Sequence, residues 1–271
     1  MNQYAVWGNP IAQSKSPRIH QLFAQQAGKN LTYLAKLGSE QDFEQELMTF
    51  FQQAQGVNIT APFKERAFKL ADEHSERCLL AEACNTLKRL EDGRLYADNT
   101  DGVGLCTDLA RLGWLNENQK VLLLGAGGAT KGVLLPLLQA KQNITLYNRT
   151  HEKAVDLAEK FAKFGQIQAV CWEEICTQQF DLIINATSLG LQGKYVELPA
   201  RLFQNTCVYD MQYALEMKTP FLEYARAHGA TKCQDGLGML VGQAAVSFQL
   251  WEGIMPEIEP VLAQLKAEMA K

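Results

Sequence analysis

Gly125-Ala126-Gly127-Gly128-Ala129-Thr130-Lys131-Gly132 directly follows a continuous apolar run over residues 121–124 and opens an apolar helical pattern. A strand, a glycine turn and a helix in that order leave free backbone N–H groups at the helix start, where they can bind phosphate. Gly125 allows the tight turn, and Gly127 lets the main chain approach a pyrophosphate, so the run reads as a dinucleotide site. The strict pattern has Gly or Ala where Thr130 stands, and a glycine-rich turn without a ligand is the competing reading. The next apolar run ends in Asn148-Arg149-Thr150, with Lys153 one turn later. An NAD site places a carboxylate there for the ribose 2′-hydroxyl, and a carboxylate would repel a 2′-phosphate. Arg149 can grip such a phosphate with two N–H groups and Lys153 adds charge, which favours NADP over a merely solvated arginine beside a Thr150 helix cap.

A second set of residues is mostly polar and uncharged, with two lysines and one aspartate among them. In Ser14-Lys15-Ser16-Pro17, Ser16 reads as a helix N-cap before Pro17 at the first helical position, and taken alone that is the favoured reading. Two hydroxyls at a helix N-terminus could also hold a carboxylate. Asn58-Ile59-Thr60-Ala61-Pro62-Phe63-Lys64 lies just past an apolar run, where open α/β sheets bind ligands. Asn85-Thr86 and Asn99-Thr100-Asp101-Gly102 add amides, hydroxyls and one carboxylate, a set suited to a polyol, although each segment taken singly could be a satisfied turn.

The elements that must position these groups alternate along the chain. Residues 3–6, 31–37 and 57–59 read as strands, with helices over 17–27 and 42–53 between them. Residues 86–90 and 94–97 flank Glu91-Asp92-Gly93, a hairpin signal. A second series begins at Lys120, with strands over 121–124, 144–147, 169–171, 182–185, 207–209 and 231–233 and helices over 151–164 and 220–228. Pro136 should bend the helix that holds it. Residues 102–112 read as a helix leading from the first unit to the second, and the final helices, over 237–251 and 257–270, have no strand after them and could return to the first. The fold class is therefore α/β, with two open, mostly parallel sheet domains, the second a Rossmann dinucleotide-binding domain.

Bulk properties narrow the partners. The 271-residue chain is 47% apolar and 21% charged with a formal net charge of −4, and it has no basic stripe, which argues against nucleic acid. Its apolar runs are too short to span a bilayer, and Met1–Gly8 lacks the pattern of a secretory signal, so a cytoplasmic protein is expected. Seven cysteines without a Cys-x-x-Cys spacing read as free, mostly buried thiols. Four scattered histidines give no reason to expect a metal.

Taken in order, these segments resemble the shikimate dehydrogenase family. The resemblance runs through Gly8-Asn9-Pro10-Ile11 with Ser14-Lys15-Ser16-Pro17, the segment 58–64, Ala83-Cys84-Asn85-Thr86-Leu87 and Asn99-Thr100-Asp101-Gly102. It continues through the glycine loop, Asn148-Arg149-Thr150, Asn185-Ala186-Thr187-Ser188-Leu189-Gly190, and Asp235-Gly236-Leu237-Gly238-Met239-Leu240 with Gln243-Ala244. It covers roughly residues 4 to 252, and eight runs in register are specific where one is not. It implies a substrate-binding and catalytic domain over residues 1–101 plus 239–271 and an NADP domain over 102–238. It further implies reversible reduction of 3-dehydroshikimate to shikimate, a step of aromatic amino-acid biosynthesis; the sequence leaves open a monomer or homodimer.

Carried over by position, Ser14 and Ser16 bind the substrate carboxylate, while Thr60, Asn85, Asp101 and Gln243 contact ring hydroxyls. Lys64 and Asp101 form the catalytic pair, with Lys64 also touching substrate. Gly125, Ala126, Gly127, Gly128, Ala129 and Thr187 belong to the cofactor site, and Asn148, Arg149, Thr150 and Lys153 hold the adenosine phosphate. Met211 and Gly236 lie near the nicotinamide and Tyr213 near the substrate; where relatives often have a proline shortly after that tyrosine, this chain has Ala214-Leu215-Glu216. Lys64 would then donate a proton to the ketone oxygen as hydride arrives, held by Asp101. Rival readings are a broader quinate/shikimate dehydrogenase, a non-catalytic NADP-binding regulator, which predicts loss of Lys64 or Asp101, and a folate-type dehydrogenase, which gives no reason for the paired serines.

Overall fold

The computed structural model describes residues 1–270. The last residue of the expected first domain, Lys271, lies outside them. Contacts divide the chain into a unit comprising Met1–Gly104 with Val241–Glu268 and a unit comprising Leu105–Leu240 with Met269 and Ala270.

The first unit is built on six strands: β1 (Asn2–Gly8), β2 (Leu31–Leu37), β3 (Gly56–Ile59), β4 (Glu73–His74), β5 (Thr86–Arg89) and β6 (Leu95–Asp98), in the order β2-β1-β3-β5-β6-β4. Only β5 runs against its neighbours, because the hairpin read from Asp92-Gly93 reverses the chain between β5 and β6. Gly93 sits at φ +88°, a conformation few other residues adopt. Trp7, Phe43, Phe63 and Leu87 fill one core of this unit, with Phe43 and Phe63 stacked at 4.3 Å. Each such fully buried ring contributes about 1.5–3 kcal/mol. The helix Leu237–Glu252 is tied to the same sheet by Trp251, whose indole N–H donates to the Leu87 carbonyl (3.0 Å). Gly56 makes room for that indole, since a Cβ there would lie 2.2 Å from Nε1.

The second unit holds β7 (Lys120–Leu124), β8 (Asn143–Tyr147), β9 (Ile167–Ala169), β10 (Leu182–Asn185), β11 (Cys207–Asp210) and β12 (Lys232–Asp235), all parallel, in the order β12-β11-β10-β7-β8-β9. This is the doubly wound order whose reversal point lies between β7 and β10. Val121 to Leu124 are buried, as a strand covered on both faces requires. The helix Gly128–Gln139 continues through Pro136.

Some expected boundaries move. The strand expected over 169–171 lies at Ile167–Ala169, because Ile167 pairs with Ile144 and Cys171 is drawn out of the ladder when its N–H donates to the Glu174 carboxylate (2.7 Å). The strand expected over 231–233 is Lys232–Asp235; its last two residues, Gln234 and Asp235, are polar yet buried. The helix expected over 151–164 ends at Phe161, followed by a tighter turn over Ala162–Phe164. Two short helices, Lys64–Leu70 and Glu76–Ala81, are not apparent from the residue pattern. All seven thiols are free, but only Cys78 and Cys84 are buried and the other five are half-buried, so burial is less general than expected.

Candidate active site

In the first unit, two helix starts bring an ammonium and a carboxylate together. Lys64 opens the helix Lys64–Leu70 just after β3, and the buried Phe63 beside it fixes the turn. Asp101 opens the helix Asp101–Arg111 just after β6. The loop before Asp101 is anchored by buried Asp98, which accepts from Arg77 (2.7 Å), Ser75 (2.6 Å) and the Asn99 N–H (2.7 Å). Lys64 Nζ then stands 2.6 Å from Asp101 Oδ2, with side-chain exposures of 31% and 14%. The lysine thus keeps an accessible face while its charge is partly compensated.

Asn85 donates from Nδ2 to Asp101 Oδ1 (2.8 Å), Thr100 Oγ1 (2.9 Å) and Gln243 Oε1 (3.2 Å). Lys64, Asp101, Asn85 and Gln243, far apart in the chain, are therefore assembled into one cluster. Thr60 is half-buried and packs its methyl over Gly8, where a Cβ would lie 2.4 Å from Thr60 Cγ2. Ser14 Oγ accepts from the Ser16 N–H (3.3 Å). The cap expected at Ser16 is not observed: the helix Ser16–Gln26 begins at Ser16 itself, Lys15 holds the cap position, and no side chain caps it. Ser16 is instead turned inward and buried, so its hydroxyl is not committed to the helix end. Tyr213 belongs to the second unit, where burial, then the nearby Asp235 carboxylate, push its phenol above the ordinary value.

In the second unit, the glycine turn has the geometry expected of it. Gly125 lies at φ +108°, beyond the reach of most residues, and a Cβ there would also approach Thr187 to 3.3 Å. A Cβ on Gly127 or Gly128 would meet nothing within 4 Å, because both face a cavity of about 570 Å³. That cavity is lined by Gly125, Ala126, Gly127, Gly128, Ala129, Asn148, Arg149, Thr150, Lys153 and Thr187. Its lining contains no carboxylate. Arg149 and Lys153 are exposed and have no ion-pair partner among the described residues. Thr150 occupies the cap position of the next helix but makes no cap hydrogen bond, so its hydroxyl is free for a ligand. The Thr187 hydroxyl is committed to Asn185 Oδ1 (2.7 Å).

A dinucleotide with a 2′-phosphate fits this lining: open glycines for the pyrophosphate, an uncapped helix start and two unpaired cations. Met211 and Gly236 do not line this cavity. They lie against each other past β11 and β12, and a Cβ on Gly236 would come within 2.2 Å of the Met211 carbonyl oxygen. The cavity also takes in Tyr147, Ser188, Leu189, Tyr195 and Val196, to which sequence reasoning assigns no role. Ser188 and Leu189 fall within a run already noted, but nothing in the spacing around Tyr195 marks it. Among the described residues, no helix is long and apolar enough to cross a membrane, and no His/Cys/Asp/Glu group could hold a metal.

Three family models match: a shikimate dehydrogenase substrate-binding domain over residues 6–87, a shikimate/quinate 5-dehydrogenase over 110–191 and a shikimate 5′-dehydrogenase C-terminal domain over 236–266. The NADP⁺ shikimate dehydrogenase of Glaesserella parasuis serovar 5 (strain SH0165) is 73% identical over 270 residues, covering 99% of each chain. That of Pasteurella multocida (strain Pm70) is 64% identical over 266 residues, covering 97% of this chain and 99% of the relative. The shikimate 5-dehydrogenase of Thermus thermophilus, solved with NADP(H) and shikimate, superposes with a TM-score of 0.86 at 33% identity, covering 99% of this chain and all of that one. With the fold, the paired helix starts and these matches in agreement, the chain belongs to the shikimate dehydrogenase family.

Proposed function

We propose that this chain catalyses the reversible NADP-dependent interconversion of 3-dehydroshikimate and shikimate, in the biosynthesis of aromatic amino acids. The single observation that carries this reading is the Lys64 ammonium held 2.6 Å from Asp101 with part of its surface open. A ketone being reduced gathers negative charge on its oxygen, and an ammonium placed there stabilises that charge and then supplies the proton. In the oxidative direction the neutral amine takes the proton back from the ring hydroxyl. Asp101 keeps Lys64 in place, and Asn85 and Gln243 offer groups to neighbouring hydroxyls. Ser14 and Ser16 take the carboxylate, and Tyr213 is assigned to the substrate by the family resemblance.

When bound, the nicotinamide supplies or accepts the hydride. The residues that would hold its dinucleotide are Gly125 to Ala129 at the pyrophosphate and Asn148, Arg149, Thr150 and Lys153 at the 2′-phosphate, with Thr187 beside Gly125. Met211 and Gly236 are assigned to the nicotinamide end. The free thiols fit a reducing cytoplasmic setting.

The test is a spectrophotometric assay of the purified protein with shikimate and NADP⁺, with NAD⁺ and quinate as controls. Reduction of NADP⁺ by shikimate, well above the quinate and NAD⁺ rates, is expected. Absence of reduced nicotinamide with shikimate in excess would refute the reading.

A further inference from the structure

Beneath the acid–base pair lies a chain of buried polar groups whose hydrogen-bond directions can be worked out one by one. Tyr33 on β2 meets Asn58 Oδ1 (2.7 Å), Asn58 Nδ2 meets Thr86 Oγ1 (3.1 Å), Thr86 Oγ1 meets Asn85 Oδ1 (2.8 Å) and Asn85 Nδ2 meets Asp101 Oδ1 (2.8 Å). Asn58, Thr86 and Asn85 are buried.

Backbone groups settle the two amides. Asn85 Oδ1 faces the Thr100 N–H (2.9 Å), so that atom must be the oxygen and the nitrogen must point at Asp101. Asn58 Nδ2 faces the Asn85 carbonyl (3.1 Å), so that atom must be the nitrogen and the oxygen must point at Tyr33. Thr86 Oγ1 and Asn85 Oδ1 would repel at 2.8 Å without a proton between them; the amide oxygen has none, so Thr86 donates. Ser247 accepts from Asn58 Nδ2 (3.0 Å), which thereby shares its protons among Thr86, Ser247 and the Asn85 carbonyl, and its own proton is left for Thr86 (2.8 Å), Thr100 Oγ1 (3.3 Å) or the Gln243 carbonyl (3.0 Å). Tyr33 keeps its proton, because burial pushes its phenol well above the ordinary value, and it must donate to Asn58. Its ring is held flat by His20, stacked at 4.2 Å and 7°.

Every donor therefore faces the same way, from Tyr33 through Asn58, Thr86 and Asn85 to the Asp101 carboxylate, while Lys64 approaches the other carboxylate oxygen. Dipoles aligned head to tail in a buried setting reinforce one another. We infer that Thr86 and Tyr33 are positioning residues for the reaction, acting through this one-way relay to orient Asp101 and leave its Oδ2 to Lys64. The inference rests on the proposed roles of Lys64 and Asp101.

The experiment compares kcat and KM of the purified full chain, with shikimate and NADP⁺, for Thr86→Val, Thr86→Ser, Tyr33→Phe and Asp101→Asn, and for each relay variant combined with Asp101→Asn. Thr86→Val keeps the shape but has no donor, so kcat should fall about tenfold with KM nearly unchanged. Thr86→Ser should recover most of the loss. Tyr33→Phe, at the far end of the relay, should cost about threefold, and it carries the test if Thr86→Val does not fold. In the Asp101→Asn background, either change should cost less than about twofold, because the group the relay serves is gone. An unchanged kcat for Thr86→Val and Tyr33→Phe, or equal losses in both backgrounds, would overturn the relay while leaving the acid–base reading intact. Wild-type turnover by Asp101→Asn would overturn both.

Discussion

His20 offers a sharp test of how the first unit is packed. Its ring is fully buried among Tyr33, Phe23, Phe248 and Trp251, and neither ring nitrogen has a hydrogen-bond partner. Burial therefore pushes it down from 6.5 to about 3, with the nearby Asn58 amide opposing only weakly. The folded protein leaves His20 neutral between those values, whereas the unfolded chain takes up a proton below 6.5. Its contribution to stability is complete above pH 6.5 and is lost progressively as the pH falls toward 3. At about 1.36 kcal/mol per unit, wild type should lose about 3 kcal/mol from this group between pH 6.5 and pH 4. His20→Phe keeps an aromatic plate and removes the titration, so it should be as stable as wild type or more so at pH 7, and increasingly more stable below pH 6. Urea unfolding at several pH values, followed by tryptophan fluorescence, measures the gap, since Trp251 lies 5.3 Å from the ring. Subtracting the two curves cancels every titration they share. A gap that stays constant from pH 7 to pH 4 would mean that His20 is solvated or paired, and the packing account would fail.

Other outcomes follow from the site. Lys64→Ala should lower kcat by about 10²–10⁴ while KM for shikimate moves only a few-fold in steady-state kinetics; a KM effect alone would demote Lys64 to a binding group. Arg149→Ala should raise KM for NADP⁺ about tenfold or more and leave NAD⁺ kinetics unchanged, because only the 2′-phosphate loses a charged partner. Gly236→Ala, whose new methyl would press to 2.2 Å from the Met211 carbonyl, should cost about 1–3 kcal/mol in thermal unfolding and weaken NADP⁺ binding measured by fluorescence titration.

Features governed by neighbours in the chain are legible in the residues themselves. The glycine turn after Val121–Leu124 is one, because a tight turn needs Gly125 within one or two residues of the strand end. The hairpin at Asp92-Gly93 is another, and so is the missing carboxylate at Asn148-Arg149-Thr150. The roles of Lys64, Asp101, Asn85 and Gln243 come only through family resemblance, since nothing in their local spacing says they meet. Ser16 reads as a cap because Ser-Pro favours that position, whereas burial of the Ser16 side chain turns it inward. The strand near 169 is displaced from its expected place because alternation there is weak and the register is set by pairing with β8.

By itself the sequence determined the α/β class, the glycine turn between a strand and a helix, and the absence of a carboxylate at Asn148-Arg149-Thr150, since each is written in neighbouring residues. Tertiary structure alone decided that Lys64 meets Asp101 across 37 positions, and that Asn58 lies against Ser247 across 189. It likewise decided that Tyr195 lines the cavity beside the glycine turn. Side chains so far apart in the chain are brought together by strand order and by the closing of a close-packed interior, and no local preference encodes either.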